Sequence, residues 1–208
     1  MNVREALTEL RKEENKRKFE QSVDLIVNLK GLDMRKDNVN AVITIPHKIK
    51  DKKVCGFFEA RNKIVKTITL AEFDKYGKDK KLLKNLIKDF DFFVASAPLM
   101  PRVATTFGKV LGPVGKMPSP QLGILPPDAK DEIVNGVLDK IAKSVKVKMK
   151  EASIKIVVGR EGMKDDEIAE NFEAVYRGIV NALPNKIENV RNVAIKLTMS
   201  KPIKVEVR

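Results

Sequence analysis

The sequence predicts an α/β protein of two domains, one assembled from both ends of the chain and one inserted between them. Segments near both ends alternate apolar and polar residues, which is typical of strands with one exposed face. The middle holds continuous apolar runs separated by helical patterns, which is typical of a parallel sheet covered on both faces. Neither end holds enough elements to form a core alone. We therefore predict a composite α/β sandwich from residues 1–48 and 146–208, and a Rossmann-like three-layer domain from residues 49–145.

The two end segments supply the elements of the composite domain. Apolar side chains recur at helical spacing over the first ten residues, and the period changes to two from Phe19 to Leu29. A second strand ends at Pro46, because proline cannot donate to a ladder. The remaining predicted elements are a hairpin or two short strands over 147–158, a helix over 165–182, and strands over 193–199 and 203–207.

The middle segment alternates strands with helices. Pro101 suits the first turn of a helix that we expect to end near Leu111. Asp128 is the predicted N-cap of the next helix. The other predicted elements are strands over 53–58, 64–70 and 90–95, and a helix over 78–88. The predicted buried stripe of the helix after Asp128 is Ile133, Val137, Leu138, Ile141 and Val145.

Charge and composition favour a nucleic-acid partner. The chain has 41 Lys and Arg against 28 Asp and Glu, a formal net charge of +13. Such an excess indicates nucleic acid or another acidic surface, and a basic soluble enzyme is the alternative. Aromatic residues make up only 5% of the chain, and tryptophan is absent. Recognition by stacked single-stranded bases is therefore disfavoured, and contacts to phosphates and to the shape of a folded RNA are favoured.

Several other classes lack their sequence signals. No apolar run is long enough to span a bilayer and the N-terminus shows no signal peptide, so we expect a cytoplasmic protein without a membrane partner. Cys55 is the single cysteine, which excludes an internal disulfide and a cysteine-rich zinc site. His47 follows a proline at a strand end, where a turn cap or hinge position is expected. We predict no metal, no cofactor and no catalytic residue.

A glycine-rich and proline-rich segment, residues 107–120, is the most conspicuous motif. It contains Gly112, Gly115, Lys109 and Lys116 within a longer window that has no Asp or Glu. Glycine allows close backbone approach, and proline stiffens a loop. A stiff, exposed, cationic loop suits a polyanion, whereas a connector between two helices is the alternative.

The same segment does not form a phosphate-binding loop of the Walker type. Such a loop needs a glycine where Val110 stands and a Ser or Thr where Met117 stands.

The carboxylates of Asp165, Asp166 and Glu167 open a predicted helix, so the helix dipole explains them better than catalysis does.

Four motifs occur together in a distinctive order. They are the glycine-rich segment, Lys18-Phe19 at the first strand, Ile45-Pro46-His47, and Thr198-Met199-Ser200-Lys201-Pro202. With them the chain resembles, over its full length, the family numbered first among large-subunit ribosomal proteins, in its archaeal form. The resemblance implies two α/β domains, one of them inserted, and no enzymatic activity.

The resemblance also implies a function on the ribosome. A member of this family is expected to bind large-subunit ribosomal RNA at the mobile side stalk, near the tRNA exit site, and to assist the release of deacylated tRNA. The same surface is expected to bind a similar fold in the protein's own messenger RNA and repress translation. The free protein is expected to be a cytoplasmic monomer.

The resemblance places the main RNA surface on the composite domain. Carried over by motif, the contact residues are Lys18, Phe19, Ser22, Arg160, Thr198, Met199, Ser200 and Lys201. A secondary RNA contact is expected at Lys109, Gly112, Gly115 and Lys116. Position 200 is often glycine in the family, whereas this chain has Ser200 there. For Phe19, the alternative to an RNA contact is a position in the hydrophobic core. By strand alternation, Thr198 faces outward and Met199 is expected to be buried.

Two functions of other classes remain as alternatives. The middle domain could belong to a Rossmann-type nucleotide-binding enzyme, which added nucleotide would stabilise against heat. The positive charge could belong to a DNA-binding regulator, which duplex DNA would reveal in competition with RNA.

Overall fold

The computed structural model describes residues 1–12, 17–32, 39–62, 64–120, 122–127, 131–149 and 151–206. The strands are β1 (Ser22–Leu29), β2 (Asn40–Thr44), β3 (Val54–Phe57), β4 (Lys66–Ile68), β5 (Phe92–Ser96), β6 (Ile124–Leu125), β7 (Ser144–Lys148), β8 (Ser153–Arg160), β9 (Val190–Leu197) and β10 (Ile203–Val205). The α-helices are α1 (Val3–Leu10), α2 (Leu70–Lys78), α3 (Lys80–Asp89), α4 (Met100–Val114), α5 (Asp131–Ala142) and α6 (Asp165–Ala182).

The chain folds into two compact units. Met1–Ile49 and Lys143–Arg208 form the first, which we call the composite unit, and Lys50–Ala142 form the second, the inserted unit. Both contain helices and strands, which confirms the predicted α/β class. Ile49 and residues 143–145 of the predicted inserted segment lie in the composite unit, and at the second boundary β7 begins at Ser144 and pairs with β2.

A four-stranded antiparallel sheet forms the centre of the composite unit, in the order β10-β9-β1-β8. Burial along β1 alternates at every residue, as the period of two predicts. Val23, Leu25 and Val27 point into the core, opposite Leu197 and Ile195 among the partners on β9. The sheet therefore has one face that forms the core and one that does not.

Helices α1 and α6 cover the core face. The helix predicted over 165–182 is α6, and its apolar stripe, which includes Ile168, Phe172 and Ile179, is fully buried. A Cβ at Gly159 would lie 2.8 Å from the Ile168 side chain, so glycine permits the close approach of β8 to α6. Asn171 is also buried on α6, where its side chain accepts from His47 N and donates to the carbonyls of His47 and Val158.

Of the two alternatives predicted for residues 147–158, two separate strands are confirmed and a hairpin is not, because β7 pairs with β2 in a separate two-stranded sheet while β8 pairs with β1. His47 follows β2 and lies beside α6, with its Nε2 2.7 Å from Glu170 Oε2.

The inserted unit contains a parallel sheet with both faces covered. Its strand order is β4-β3-β5-β6. Along β5, Phe93 and Ala95 enter one apolar cluster with α2, α3 and α4, whereas Phe92 and Val94 contact a second cluster with α5. This is the three-layer arrangement that the continuous apolar runs predict. Phe107 is central to the first cluster, with ring centroids 4.9 Å from Phe57 and 5.1 Å from Phe73.

Three details of the inserted unit differ from the sequence prediction. Helix α2 was not predicted, and its first residue, Leu70, lies at the end of the strand predicted over 64–70, which in the structure ends at Ile68. On α5, Val134 is buried while Ile133 is 44% exposed, and Val145 lies on β7. The predicted N-cap Asp128 lies outside the described residues. No helix of the described part of the chain is long and apolar enough to cross a membrane.

Candidate RNA-binding surface

Three separate segments of the chain meet at one end of the four-stranded sheet. Ser22 opens β1 and pairs with Arg160 at the end of β8. On the other side, the backbone N–H of Thr198 donates to Ser22 O at 3.1 Å, just after the end of β9. The structure therefore brings together residues from the first strand, the glycine-arginine end of β8 and the turn between β9 and β10. We call the residues at this end of the sheet the sheet-end surface: Lys18, Phe19, Gln21, Ser22, Asp24, Arg160, Thr198, Met199, Ser200 and Lys201.

The hydroxyl groups at this point form a directed chain of hydrogen bonds. Thr198 Oγ1 accepts from the backbone N–H of Ser22 at 3.0 Å and lies 3.0 Å from Ser22 Oγ. Ser22 Oγ in turn donates to Asp24 Oδ1 at 3.1 Å. A carboxylate only accepts, so the Ser22 proton goes to Asp24, and the Thr198 proton goes to Ser22, either to Oγ at 3.0 Å or to the carbonyl oxygen at 3.4 Å. In both cases each hydroxyl oxygen keeps at least one free lone pair, and the pair presents acceptors to a ligand.

Asp24 lies under this hydroxyl pair in a partly buried position. Burial raises the pKa of Asp24 above its usual value, while the Ser22 hydroxyl and the neighbouring Lys196 act in the opposite direction. Lys196 is the cross-strand partner of Asp24 on β9. The carboxylate therefore has both a hydrogen-bond donor and a cation beside it.

Side-chain hydrogen bonds from Gln21 and Ser200 fix the turn after β9. The side chain of Gln21, which is fully buried, accepts from the backbone N–H of Met199 at 3.1 Å. Ser200 Oγ accepts from Leu197 N at 2.8 Å, and its proton faces the carbonyl oxygens of Leu197 at 3.3 Å and Lys201 at 3.2 Å. These bonds fix the backbone and direct the Met199 side chain outward, where it is 61% exposed. The prediction that Met199 is buried is wrong, because the strand ends at Leu197 and the alternation ends with it.

Phe19 is also exposed. The described strand β1 begins at Ser22, so Phe19 precedes it, and its side chain is 52% exposed. The core alternative for Phe19 is therefore wrong. Lys18 and Lys201 are exposed beside Phe19 and Ser200 in the chain. Arg160 makes an ion pair with Glu20 at 2.8 Å, which orients its guanidinium at the same end of the sheet.

The residues of the sheet-end surface all lie within a match to a known protein family. A model described as the Ribosomal protein L1p/L10e family matches residues 10–201, which span both units. The chain belongs to this family. The predicted family is thereby confirmed, and membership in a family of ribosomal proteins agrees with the prediction that the chain is not an enzyme.

Relatives in the L1p/L10e family match the chain almost from end to end. The large ribosomal subunit protein uL1 of Pyrococcus horikoshii is 32% identical over 212 residues, covering 97% of this chain and 94% of that protein. The uL1 proteins of Pyrobaculum calidifontis and Thermofilum pendens are 35% and 36% identical, covering 96% and 98% of this chain. These matches cover 91% of the Pyrobaculum calidifontis protein and 90% of the Thermofilum pendens protein. The archaeal type that the sequence predicts is confirmed by these matches.

The glycine-rich segment of this L1p/L10e chain is mostly helix rather than loop. Helix α4 continues through Gly112 to Val114, and Gly115 ends it with a positive φ of 75°. Gly115 and Lys116 donate backbone bonds to carbonyls of the last turn, as in a Schellman ending. The Lys116 ammonium donates to the carbonyls of Ile87 and Phe90 at 2.6 Å each.

These contacts correct the prediction of a free cationic loop. Lys116 binds the carbonyl end of α3, so its charge is used inside the inserted unit. Lys109 is exposed on α4 and remains available to an external anion. A phosphate cradle of the Walker type is excluded in the described segment, because Gly112 lies within a helix and Lys116 is bound to carbonyls.

Sequence reasoning missed two residues of the sheet-end surface. Gln21 occupies an apolar position of the predicted strand alternation, and a polar residue at such a position signals a buried hydrogen-bond partner. Asp24 falls on the polar face of the same alternation, but its bond to Ser22 cannot be read from the sequence. Among the described residues, no group of His, Cys, Asp or Glu could hold a metal ion.

Proposed function

We propose that this protein is a structural constituent of the large ribosomal subunit that binds ribosomal RNA through the sheet-end surface. The relatives that match nearly the whole length of the chain are named as large ribosomal subunit proteins. The observation that carries the RNA-binding part is the paired hydroxyls of Ser22 and Thr198, held in place between exposed apolar and cationic side chains.

The chemistry of this surface favours RNA over DNA. Both hydroxyl protons are used inside the protein, so the two oxygens offer acceptors. A ribose 2′-OH can donate to such an acceptor, whereas a phosphate oxygen cannot. Phe19 and Met199 offer exposed apolar surface to a sugar or base, and Lys18, Arg160 and Lys201 supply positive charge for phosphates.

The finer parts of the proposal concern the place and consequences of binding. We propose binding at the mobile side stalk, where the protein assists the release of deacylated tRNA from the ribosome. The protein's own messenger RNA is a second partner, because a transcript that carries a similar fold would compete for the same surface. The free protein is proposed to be a cytoplasmic monomer that represses its own translation when ribosomal RNA is scarce.

Lys109, Gly112, Gly115 and Lys116 are proposed as a secondary RNA contact, with unequal roles. Lys109 is the direct contact, since its side chain is exposed on α4. Gly115 and Lys116 act indirectly by fixing the end of α4 against α3. Gly112 is exposed and allows close approach of a ligand to the helix.

A competition experiment tests the proposal. Overlapping transcripts of large-subunit ribosomal RNA are titrated with the protein at several salt concentrations, with random RNA of equal length and duplex DNA as competitors. We expect one ribosomal fragment to bind at least a hundredfold more tightly than random RNA, and log K to fall linearly with log salt. Equal binding of random RNA would contradict specific recognition, and preferred binding of DNA would favour a regulator of transcription.

The repressor function needs its own test. The protein is added to a cell-free translation reaction programmed with its own messenger RNA, with an unrelated messenger RNA as control. We expect selective inhibition that the tight ribosomal RNA fragment relieves. Inhibition of both messages alike would contradict autoregulation while leaving the ribosomal function intact.

A further inference from the structure

The four-stranded sheet has a second face on which no apolar cluster of the described residues is built. Alternation on the strands places one set of side chains there, and we call this set the open face. It comprises Asp24, Ile26 and Asn28 on β1, Ser153, Lys155 and Val157 on β8, Asn192, Ala194 and Lys196 on β9, and Lys204 on β10. Ile26, Val157 and Ala194 belong to none of the apolar clusters of the described residues.

The open face is continuous with the sheet-end surface. Ser22 and Arg160 pair at the end of the sheet, and Asp24 with its partners Lys196 and Val157 forms the next row. Ile26 follows, paired with Ala194 and Lys155. A ligand that contacts Ser22 and extends along the sheet therefore meets these rows in turn.

Positive charge dominates the open face. Lys155, Lys196 and Lys204 lie on three different strands, against the single carboxylate of Asp24. Neighbouring strands are about 4.8 Å apart, so Lys155 on β8 and Lys204 on β10 are separated by about 14 Å across the sheet. Lys155 and Lys204 are exposed, and Lys155 has one loose ion pair, 3.8 Å from Glu151. Such a pair is readily replaced by a phosphate at the surface.

The opposite side of the composite unit carries the opposite charge. Helix α6 contains five carboxylates and one arginine, and α1 contains two carboxylates and one arginine. These helices cover the core face of the sheet, so the charges of the unit are separated across it. A polyanion is attracted to the open face and repelled from the helical side.

The open face lacks the side chains that bind unpaired bases. Four-stranded sheets that recognise single-stranded RNA stack bases on exposed aromatic rings. Here the open face contains no aromatic residue, and its centre is formed by Ile26 and the exposed Val157 on either side of the buried Ala194. The spaced lysines and the small apolar centre suit the backbone and ribose edges of a double helix, whose bases are already stacked.

We propose that the open face is a docking surface for double-helical RNA that continues from the sheet-end surface. The inference rests on the proposed function, since it extends the same RNA from the hydroxyl pair along the sheet. Lys155, Lys196 and Lys204 contact phosphates of the helix, while Asn28 and Asn192 offer amide groups to ribose hydroxyls. Asn28 Nδ2 already donates to Asn192 Oδ1 at 2.6 Å, which orients the pair.

The first test removes the three charges and compares a matched control. The variant Lys155→Gln, Lys196→Gln, Lys204→Gln is compared with Lys75→Gln, Lys84→Gln, Lys140→Gln, three exposed lysines of the inserted unit. Both lose three charges, so they differ only in position. Each is titrated with the tightest-binding ribosomal RNA fragment, in its longest form, over a salt series after a melting curve has shown that it is folded.

We expect the open-face variant to lose two to three units of salt slope, since each phosphate contact contributes roughly 0.9. The control variant should lose less than one. Equal slopes for the two variants would overturn the proposal. The wild-type protein is titrated in parallel. If it does not prefer the ribosomal fragment over random RNA, the proposed function itself is contradicted, and not only the role of the open face.

A crosslinking experiment tests the type of RNA on the open face. Cys55 is fully buried, and burial raises the pKa of its thiol to about 12, so a cysteine introduced on the surface is the reactive one. A photoactivatable azide is attached to Lys204→Cys or, as control, to Lys84→Cys. We expect crosslinks from position 204 at paired nucleotides. Crosslinks restricted to unpaired nucleotides, or no more frequent than those from position 84, would overturn the proposal.

Discussion

The two sheets of this protein use their faces differently. The parallel sheet of the inserted unit is covered on both faces, so consecutive residues of β5 are all used in packing. The antiparallel sheet of the composite unit packs only every second residue of β1, and the residues between them stay accessible. An α/β composition alone therefore does not show where a ligand can bind. The decisive property is whether a sheet face or sheet end is left free to carry polar residues.

The most conspicuous sequence motif, the glycine-rich segment, has a structural role in the inserted unit. The glycine-rich segment of the inserted unit ends a helix and holds it against α3 through Lys116. The unremarkable residues Ser22 and Thr198 of the composite unit form the hydrogen-bonded pair that can recognise a ribose. In this chain, the residues with unusual backbone requirements stabilise one unit, and ordinary strand residues form the candidate surface of the other.

The largest expected effect is on the stability of the inserted unit, and we expect it without a loss of specific RNA binding. Phe107→Ala removes a fully buried ring that contacts Phe57 and Phe73, and we expect a loss of about 3–5 kcal/mol in the free energy of unfolding. Val114→Ala, on the same helix but 53% exposed, is the matched control and should cost less than about 0.5 kcal/mol. Urea unfolding followed by circular dichroism measures both. Loss of specific RNA binding by the folded Phe107→Ala protein would contradict the separation.

A second pair of substitutions distinguishes structure from contact within the inserted unit. Lys116→Gln loses two short charged hydrogen bonds to carbonyls, and we expect a destabilisation of about 1.5–3 kcal/mol with little change in salt slope. Lys109→Gln should leave stability unchanged and lower the salt slope by about one unit. Thermal melts and RNA titrations of the two variants decide the assignment. The reverse pattern would restore Lys116 as the direct contact.

The third prediction concerns the hydroxyl pair of the composite unit. Thr198→Val keeps the side-chain shape but removes the oxygen that accepts from Ser22 N–H and faces the ligand. We expect RNA affinity to fall about ten- to a hundredfold, a loss of about 1–3 kcal/mol in binding free energy. Thr198→Ser keeps the hydroxyl and should bind within about threefold of the wild type. If both variants bind equally, the hydroxyl is not a recognition group.

The smallest expected effect is a pH dependence of the inserted unit. Burial lowers the pKa of Lys52 to about 8, against partial compensation by Asp91. Its ammonium donates to Ile141 O at 2.8 Å and lies 5.1 Å from the centre of the Phe92 ring. Because the folded-state pKa lies below the unfolded value of 10.5, folding becomes more favourable as pH rises above about 8.

Urea unfolding of wild type and Lys52→Met between pH 7.5 and about 9.5 isolates this contribution, since other titrating groups are common to both. We expect the stability of the wild type relative to the variant to rise by a few tenths of a kcal/mol, because the side chain is partly exposed to solvent. A constant difference over this range would show that the Lys52 ammonium is not penalised by burial.

Much of the fold could be predicted because its elements are periodic. The stripe of α6 and the alternation of β1 were both strong enough to give the buried residues correctly. The failures occur where local pattern is overruled. Helix α4 continues beyond Leu111 through Gly112 to Val114, where the sequence predicts a loop. Of the two alternatives for residues 147–158, separate strands are observed, because β7 pairs with β2, which lies about a hundred residues earlier in the chain.

The candidate site was predicted only in part for a related reason. Resemblance placed Ser22, Thr198 and Arg160 together, and the strand register is consistent with that placement. The direction of the hydroxyl protons depends on Asp24, and the exposure of Met199 depends on the buried Gln21. The Gln21–Met199 contact joins residues 178 positions apart, so no local pattern encodes it. The Ser22–Asp24 bond is local, but the Ser22 hydroxyl also contacts Thr198, which lies 176 positions away.

The most direct test of the account uses the composite unit alone. Residues 1–49 are joined to 143–208 by a short glycine-serine linker, and circular dichroism with a cooperative melt first shows that the product folds. Its affinity for the ribosomal RNA fragment is then compared with that of the full chain, with random RNA as competitor. We predict that the composite unit retains the preference for the ribosomal fragment and binds within about tenfold of the full chain. A folded composite unit that shows no preference, while Lys50–Ala142 alone does, would contradict the account.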